Sequence, residues 1–186
     1  MTTPRHPRRG HVPRLLLAGV SAFLVLGWVA ACQVSLEPNT VTCPPIEDFK
    51  PVSTLLEQRC GTLDCHGNEA RPLRIYGQYG LRFVGPDDDP DVLYAGNLSA
   101  PTTDLEVERN YFSVCGIEPE KMSLVTEGEA GPETLTMVRK PRLAEKHKGG
   151  RIWDKGKVED RCLVGWIAGD FEPGEMDPQD CTEAVE

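Results

Sequence analysis

The sequence predicts a small, mainly α-helical domain that is rich in loops and supported by disulfides. Apolar residues recur at helical spacing in two places, at Val52, Leu55 and Leu56 and again between Val158 and Ile167. Gly and Pro occupy 34 of the 186 positions (18 and 16), whereas an average protein has about 12% of the two together. Such a composition favours short helices, long connections and covalent support.

The first half of the predicted domain contains one helix and several turns. The stretch "DFKPVSTLLEQRC" predicts a short amphipathic helix that ends at Cys60. Gly77 and Gly80 lie within "RPLRIYGQYGLRFVG", whose apolar and aromatic residues allow a short β-hairpin. The acidic residues in "PDDDPD" lack the ligand spacing of a calcium loop, so a solvated turn is expected there.

In the second half of the predicted domain, the sequence predicts secondary structure clearly only after residue 131. The span 101–131 has weak periodicity, and no element can be placed in it from the sequence. A short helix is predicted around Leu135 and Val138, stopped by Pro141, and a longer one follows from Val158. The two tryptophans of this half are expected to be core aromatics: Trp153 and Trp166.

The N-terminus has the pattern of an export signal. Four arginines precede an apolar run at 15–29, and "LGWVAAC" brings small residues up to Cys32. This ending resembles the lipobox of bacterial lipoproteins, which implies a signal peptide over 1–31, acylation (palmitate) of Cys32 and attachment to the cell envelope, on the periplasmic face or outer surface. An uncleaved anchor or a plain signal peptide are the alternatives. A tether over 32–45 and a domain over 46–186 would follow.

The charge balance indicates which partners to expect. The chain has 29 acidic and 20 basic residues, and removal of residues 1–31 with their four arginines would leave 16 basic ones, for a net charge of about −13. Nucleic acid is not an expected partner, since phosphate binding needs clustered Lys and Arg. The expected contact with the membrane is through the N-terminal lipid.

Six cysteines remain after Cys32. An even number in an exported chain predicts disulfides, because the compartments outside the cytoplasm are oxidising. They are Cys43, Cys60, Cys65, Cys115, Cys162 and Cys181.

The segment "CGTLDCHG" carries the strongest chemical signal. Covalent attachment of haem c needs two thiols for the two vinyl groups and an imidazole for the iron, and Cys60, Cys65 and His66 offer these as C-x4-C-H, two residues longer than the usual spacing. The remaining four cysteines would then form two disulfides. Alternatively Cys60 and Cys65 pair with each other, which gives three disulfides and no cofactor. A zinc site would need further ligands.

Two strings resemble cytochrome c-like domains of planctomycete and myxobacterial envelope proteins: "FKPVSTLLEQRCGTLDCHG" and "LTMVRKPRLAEKHKGGRIWDKGKVEDRCLVGWIAG". Together they cover a little under a third of the chain. The resemblance implies a cytochrome c-like fold with His66 as one axial ligand of the iron. For the sixth ligand it favours His147, with Met122 and Met137 as thioether alternatives.

Two functions follow as expectations. The first is a lipid-anchored monohaem electron carrier with a redox protein as partner. The second is a haem-free, disulfide-stabilised envelope lipoprotein with a structural or partner-binding role. The chain has no nucleophile motif, metalloprotease motif or phosphate loop, so it is not expected to be an enzyme.

Overall fold

The computed structural model describes residues 40–95, 97–168 and 178–186, and the described residues from Val41 onward belong to one compact unit. The predicted signal peptide and Cys32 lie outside the described residues, as does most of the tether. The helices are α1 (Phe49–Cys60), α2 (Asp104–Gly116), α3 (Pro119–Thr126), α4 (Thr136–Arg139), α5 (Val158–Ala168) and α6 (Pro178–Glu183). Two 3₁₀ turns, Ile46–Asp48 and Pro132–Thr134, complete the order.

The predicted fold class is confirmed: the domain is mainly helical, loop-rich and disulfide-bonded. Within the described residues, the segment expected to allow a hairpin has only an isolated bridge between Tyr76 and Leu81. Here the Gly77 N–H donates to the Leu81 carbonyl at 2.8 Å, which makes a tight turn instead of paired strands. No helix in the described part of the chain is long and apolar enough to cross a membrane.

The core forms where α1, α2 and α5 meet. Phe49, at the start of α1, packs against Trp166 of α5 with ring centroids 4.7 Å apart and against Tyr111 of α2 at 5.6 Å. Trp153 and Trp166 are both buried, as predicted. Burial of such large side chains is the main source of stability in a domain of this size.

Two disulfides join distant parts of this core. Cys43 pairs with Cys115 near the end of α2, and Cys162 of α5 pairs with Cys181 of α6. The first bridge closes a loop of 72 residues and the second closes one of 19. By restricting the unfolded chain, such cross-links stabilise a fold with long connections by about 2–4 kcal/mol each.

Helix α2, which the sequence did not reveal, buries polar groups beside apolar ones. It begins with a capping box, in which the Thr103 hydroxyl accepts from the Glu106 N–H and the Glu106 carboxylate accepts from the Thr103 N–H. The same carboxylate forms a buried two-pronged ion pair with Arg82 at 2.8 and 2.9 Å. Asn110, fully buried, donates to the Ser53 hydroxyl on α1 at 3.0 Å.

Candidate functional site

The C-x4-C-H motif lies directly after α1. The Gly61 N–H donates to the Glu57 carbonyl and ends the helix. The chain then makes a compact turn, in which the Gly67 N–H donates to the Thr62 carbonyl at 3.0 Å and the His66 N–H donates back to the Cys60 carbonyl at 2.8 Å. The extra residues of the motif are thus accommodated in the turn, and His66 returns close to the end of the helix.

Close glycine packing supports this turn. A Cβ on Gly67 would lie 2.0 Å from the Gly61 carbonyl oxygen, and a Cβ on Gly80 would lie 1.9 Å from the same oxygen. Both distances are far below van der Waals contact, so only glycine fits at these positions without movement of the backbone. Arg71 adds a further support by donating to the Cys65 carbonyl at 3.0 Å.

Cys60 and Cys65 are both free thiols, while the other four described cysteines form the two disulfides. Cys60 is 8% exposed and Cys65 is half-buried. Burial is the main cause that raises the pKa of the Cys60 thiol to about 12, with a smaller contribution from the neighbouring Cys65 and an opposing effect of Arg59. Cys60 is therefore held in the protonated S–H form at neutral pH.

His66 is half-buried and held in one tautomer. Its Nδ1–H donates to the Leu73 carbonyl at 3.0 Å, because a carbonyl oxygen can only accept. Burial lowers the pKa of His66, and the nearby His147, Arg71 and Lys140 lower it as well, although the Leu73 bond opposes them. The neutral ring keeps its lone pair on Nε2, which is the atom that would bind a metal.

His147 repeats this arrangement close to His66. Its Nδ1 lies 2.9 Å from the Gly150 carbonyl oxygen, so the N–H again lies on Nδ1 when the ring is neutral. The two imidazole rings have centroids 6.2 Å apart and planes only 15° from parallel. Metal-binding histidines commonly donate their second ring N–H to a carbonyl in this way.

Two cavities open beside the histidines and share part of their walls. The outer cavity has a volume of about 480 Å³ and the inner one about 120 Å³. The residues common to both walls are Cys60, His66, Pro72, Lys140 and His147. All the groups that the sequence singled out for haem attachment, and the first candidate for its sixth ligand, thus lie around one space.

The chemical character changes from one cavity to the other. The inner wall is largely apolar, with Leu56, Leu73, Ile117, Met137 and Pro141. The outer wall carries five cationic side chains and a single carboxylate, that of Asp64, although the chain as a whole is acidic. The cations are Arg59, Arg71, Lys140, Lys146 and Lys148. The space therefore suits a ligand with an apolar body and anionic ends.

The two methionine candidates differ in position. Met122 is fully buried in the core and lines neither cavity, whereas Met137 lies in the wall of the inner one. Within the described ranges, no group of three or more His, Cys, Asp or Glu side chains is placed to hold a metal ion. The cationic rim was not predicted from the sequence, although the basic run "KPRLAEKHK" around His147 contains three of its members.

Comparison with known proteins adds no relative. No protein-family model matches the chain, no curated protein matches its sequence, and no solved structure matches its fold.

Proposed function

We propose that this protein is a c-type cytochrome-like electron carrier of the cell envelope, with one haem attached at Cys60 and Cys65 and held between His66 and His147. The observation that carries the proposal is the pair of imidazoles, each with Nδ1 at a carbonyl oxygen, that line the same cavity. The lipid at Cys32 would hold the carrier at the membrane. When bound, the haem would supply a one-electron redox couple.

The spacing of the histidines supports this ligand set. A metal binds an imidazole nitrogen at about 2 Å, so two histidines that hold one iron must lie within a few ångströms of each other. The separation of the His66 and His147 centroids is 6.2 Å. Two imidazoles are too few for a structural metal ion on its own, but they are sufficient where a macrocycle provides the other nitrogens.

The state of the cysteines supports covalent attachment. Cys60 and Cys65 are free and border the outer cavity, and the other four described cysteines are used in disulfides. Each thiol would add its sulfur to one carbon of a vinyl group and its hydrogen to the other. One C–S bond forms, the C=C bond becomes single, and no oxidant or reductant is consumed.

The charges of the outer wall would orient the group. Haem has an apolar macrocycle and two carboxylates on one edge, and burying a carboxylate without a partner is costly. The five cations of the outer wall provide partners, while Leu56, Leu73 and Ile117 provide apolar surface on the inner side. The volume of about 480 Å³ also falls within the usual range for ligand sites, which is about 300–1,000 Å³.

The test is expression of the full chain with the c-type maturation machinery, followed by denaturing electrophoresis with haem staining and a pyridine haemochrome spectrum. We expect a stained band for the wild type and none for the double variant Cys60→Ser, Cys65→Ser. The variant His147→Ala should keep the covalent haem but lose its low-spin spectrum, whereas Met137→Leu should keep both. A wild-type chain without covalent haem would end the proposal and leave the haem-free lipoprotein as the function to pursue.

A further inference from the structure

The tip that carries His147, defined here as residues 146–150, has few ties to the rest of the domain. The hydrogen bonds recorded for these residues, within the described part of the chain, stay inside the tip: His147 Nδ1 with the Gly150 carbonyl, and the Gly150 N–H with the His147 carbonyl. Lys146 and Lys148 are exposed. The position of His147 therefore depends on the residues on either side of the tip.

The residues that flank the tip differ in how they are held. Arg142 and Ile152 make buried or backbone contacts and form the base of the tip, whereas the contacts of Glu145 are more exposed. Arg142 makes a buried two-pronged ion pair with Asp160 at 2.6 and 2.9 Å, and the Ile152 N–H donates to the Pro141 carbonyl at 2.8 Å. Glu145, immediately before the tip, has more exposed partners: Arg139 donates two hydrogen bonds to its carboxylate at 2.8 and 3.0 Å, and the Lys140 ammonium lies 3.8 Å away. The base is thus held by more buried contacts than the residue next to the tip.

His66 has no comparable freedom. Its segment is fastened to α2 by the Arg74 N–H, which donates to the Ser113 hydroxyl at 3.0 Å, and by two hydrogen bonds between Asn110 and the Tyr76 backbone. The close packing of Gly67 and Gly80 fixes the turn on its other side. One imidazole of the pair thus belongs to a segment bonded to a neighbouring helix, whereas the tip with the other makes, among the described residues, hydrogen bonds only within itself.

We infer that His147 is a displaceable ligand, and that its place on the haem is a binding site for a small neutral π-acceptor ligand of the carbon monoxide and nitric oxide class. This inference rests on the proposed function. Departure of His147 would free the coordination position on the iron that the incoming ligand would take. The protein then acts as a ligand-responsive haem protein as well as an electron carrier.

The experiment uses the covalently loaded, dithionite-reduced protein, mixed with carbon monoxide as the probe in a stopped-flow spectrometer. In the wild type, the observed rate should level off as the carbon monoxide concentration rises, because departure of His147 becomes limiting. In His147→Ala it should rise in proportion to the concentration without a plateau.

A second pair of variants tests the tip without removing the histidine. Glu145→Gln breaks the half-exposed ion pairs beside the tip and should raise the plateau by about twofold to fivefold, as loss of a pair of this kind implies. Glu129→Gln, an exposed glutamate at a distant turn, should leave the plateau unchanged.

The outcomes separate the two proposals. Three results, each with covalent haem present, would overturn the displaceable ligand and leave the electron carrier intact. They are the absence of a carbon monoxide complex, wild-type rates that rise without a plateau, and a plateau that Glu145→Gln does not change. A chain that carries no covalent haem would overturn both.

Discussion

The two histidine segments of this protein present the same chemistry on different supports. His66 and His147 each have Nδ1 within 3.0 Å of a carbonyl oxygen, and both border the same cavities. Yet His66 belongs to a segment packed glycine to glycine and hydrogen-bonded to α2, whereas His147 stands on a tip bonded to itself. Two histidines with the same local hydrogen bonding are therefore supported by the fold to different degrees.

The segment that carries His66 is connected to the buried ion pair between Arg82 and Glu106. The Arg82 and Glu106 side chains are 2% and 0% exposed. Arg82 follows two residues after Gly80, which packs closely against Gly61 and Gly67 of the C-x4-C-H segment. Glu106→Gln leaves the Arg82 charge buried without its partner, so the free energy of unfolding should fall by about 3–5 kcal/mol. This is the largest effect that we expect, and urea denaturation of the purified full chain measures it.

Glu108→Gln is the matched control for that change. Glu108 lies on the same helix but faces solvent, so its substitution should shift the unfolding free energy by less than about 0.5 kcal/mol. Equal losses of unfolding free energy for Glu106→Gln and Glu108→Gln would show that the buried ion pair does not stabilise the domain more than an exposed glutamate does.

A glycine-to-alanine substitution in each histidine segment compares how tightly the two segments are packed. Gly67→Ala would place a Cβ 2.0 Å from the Gly61 carbonyl oxygen, which belongs to the backbone and cannot rotate away. Gly149→Ala would place its Cβ 3.1 Å from the His147 ring, a side chain that can yield. We expect Gly67→Ala to cost about 1–3 kcal/mol, as overpacking does, and Gly149→Ala to cost well under 1 kcal/mol.

Thermal unfolding of the two alanine variants, monitored by circular dichroism, distinguishes these costs. Haem staining after expression with the maturation machinery gives a second readout, since only Gly67→Ala should also reduce covalent attachment. A Gly149→Ala variant as destabilised as Gly67→Ala would mean that the tip is as tightly packed as the motif.

The sequence predicted the helices whose buried faces are apolar. Val52, Leu55 and Leu56 of α1 are buried, and so are Leu163 and Ile167 of α5. Helix α2 was missed because two of its buried positions, Glu106 and Asn110, are polar, which weakens the hydrophobic period. Its capping residues Thr103 and Glu106 were the local signal that could have revealed it.

The site could be predicted only in part for a related reason. Cys60, Cys65 and His66 are close in sequence, so their spacing suggested joint chemistry. The approach of His147 depends on how the chain folds between 67 and 146, and only the resemblance to cytochrome c-like domains pointed to it. The five-cation rim draws on residues from 59 to 148, and no local pattern in an acidic chain shows that they converge.

The smallest effect that we expect is the pH dependence that His66 gives to the haem-free chain. The pKa of His66 is lowered from its ordinary value of 6.5, mainly by burial. Below about pH 6.5 the unfolded chain therefore binds the proton before the folded chain does, and stability falls with falling pH until the folded protein is protonated as well. Above that range both states are neutral, and His66 adds no pH dependence.

The variant His66→Asn isolates this contribution, because an asparagine amide can still donate to the Leu73 carbonyl but does not titrate. Urea denaturation of both proteins between pH 5.5 and about 8 should give curves that differ in slope only below about pH 6.5. Identical slopes would mean that the ring is solvated like a free imidazole. A steeper fall in the wild type would instead show that the folded domain keeps this imidazole neutral at a pH where the unfolded chain is protonated.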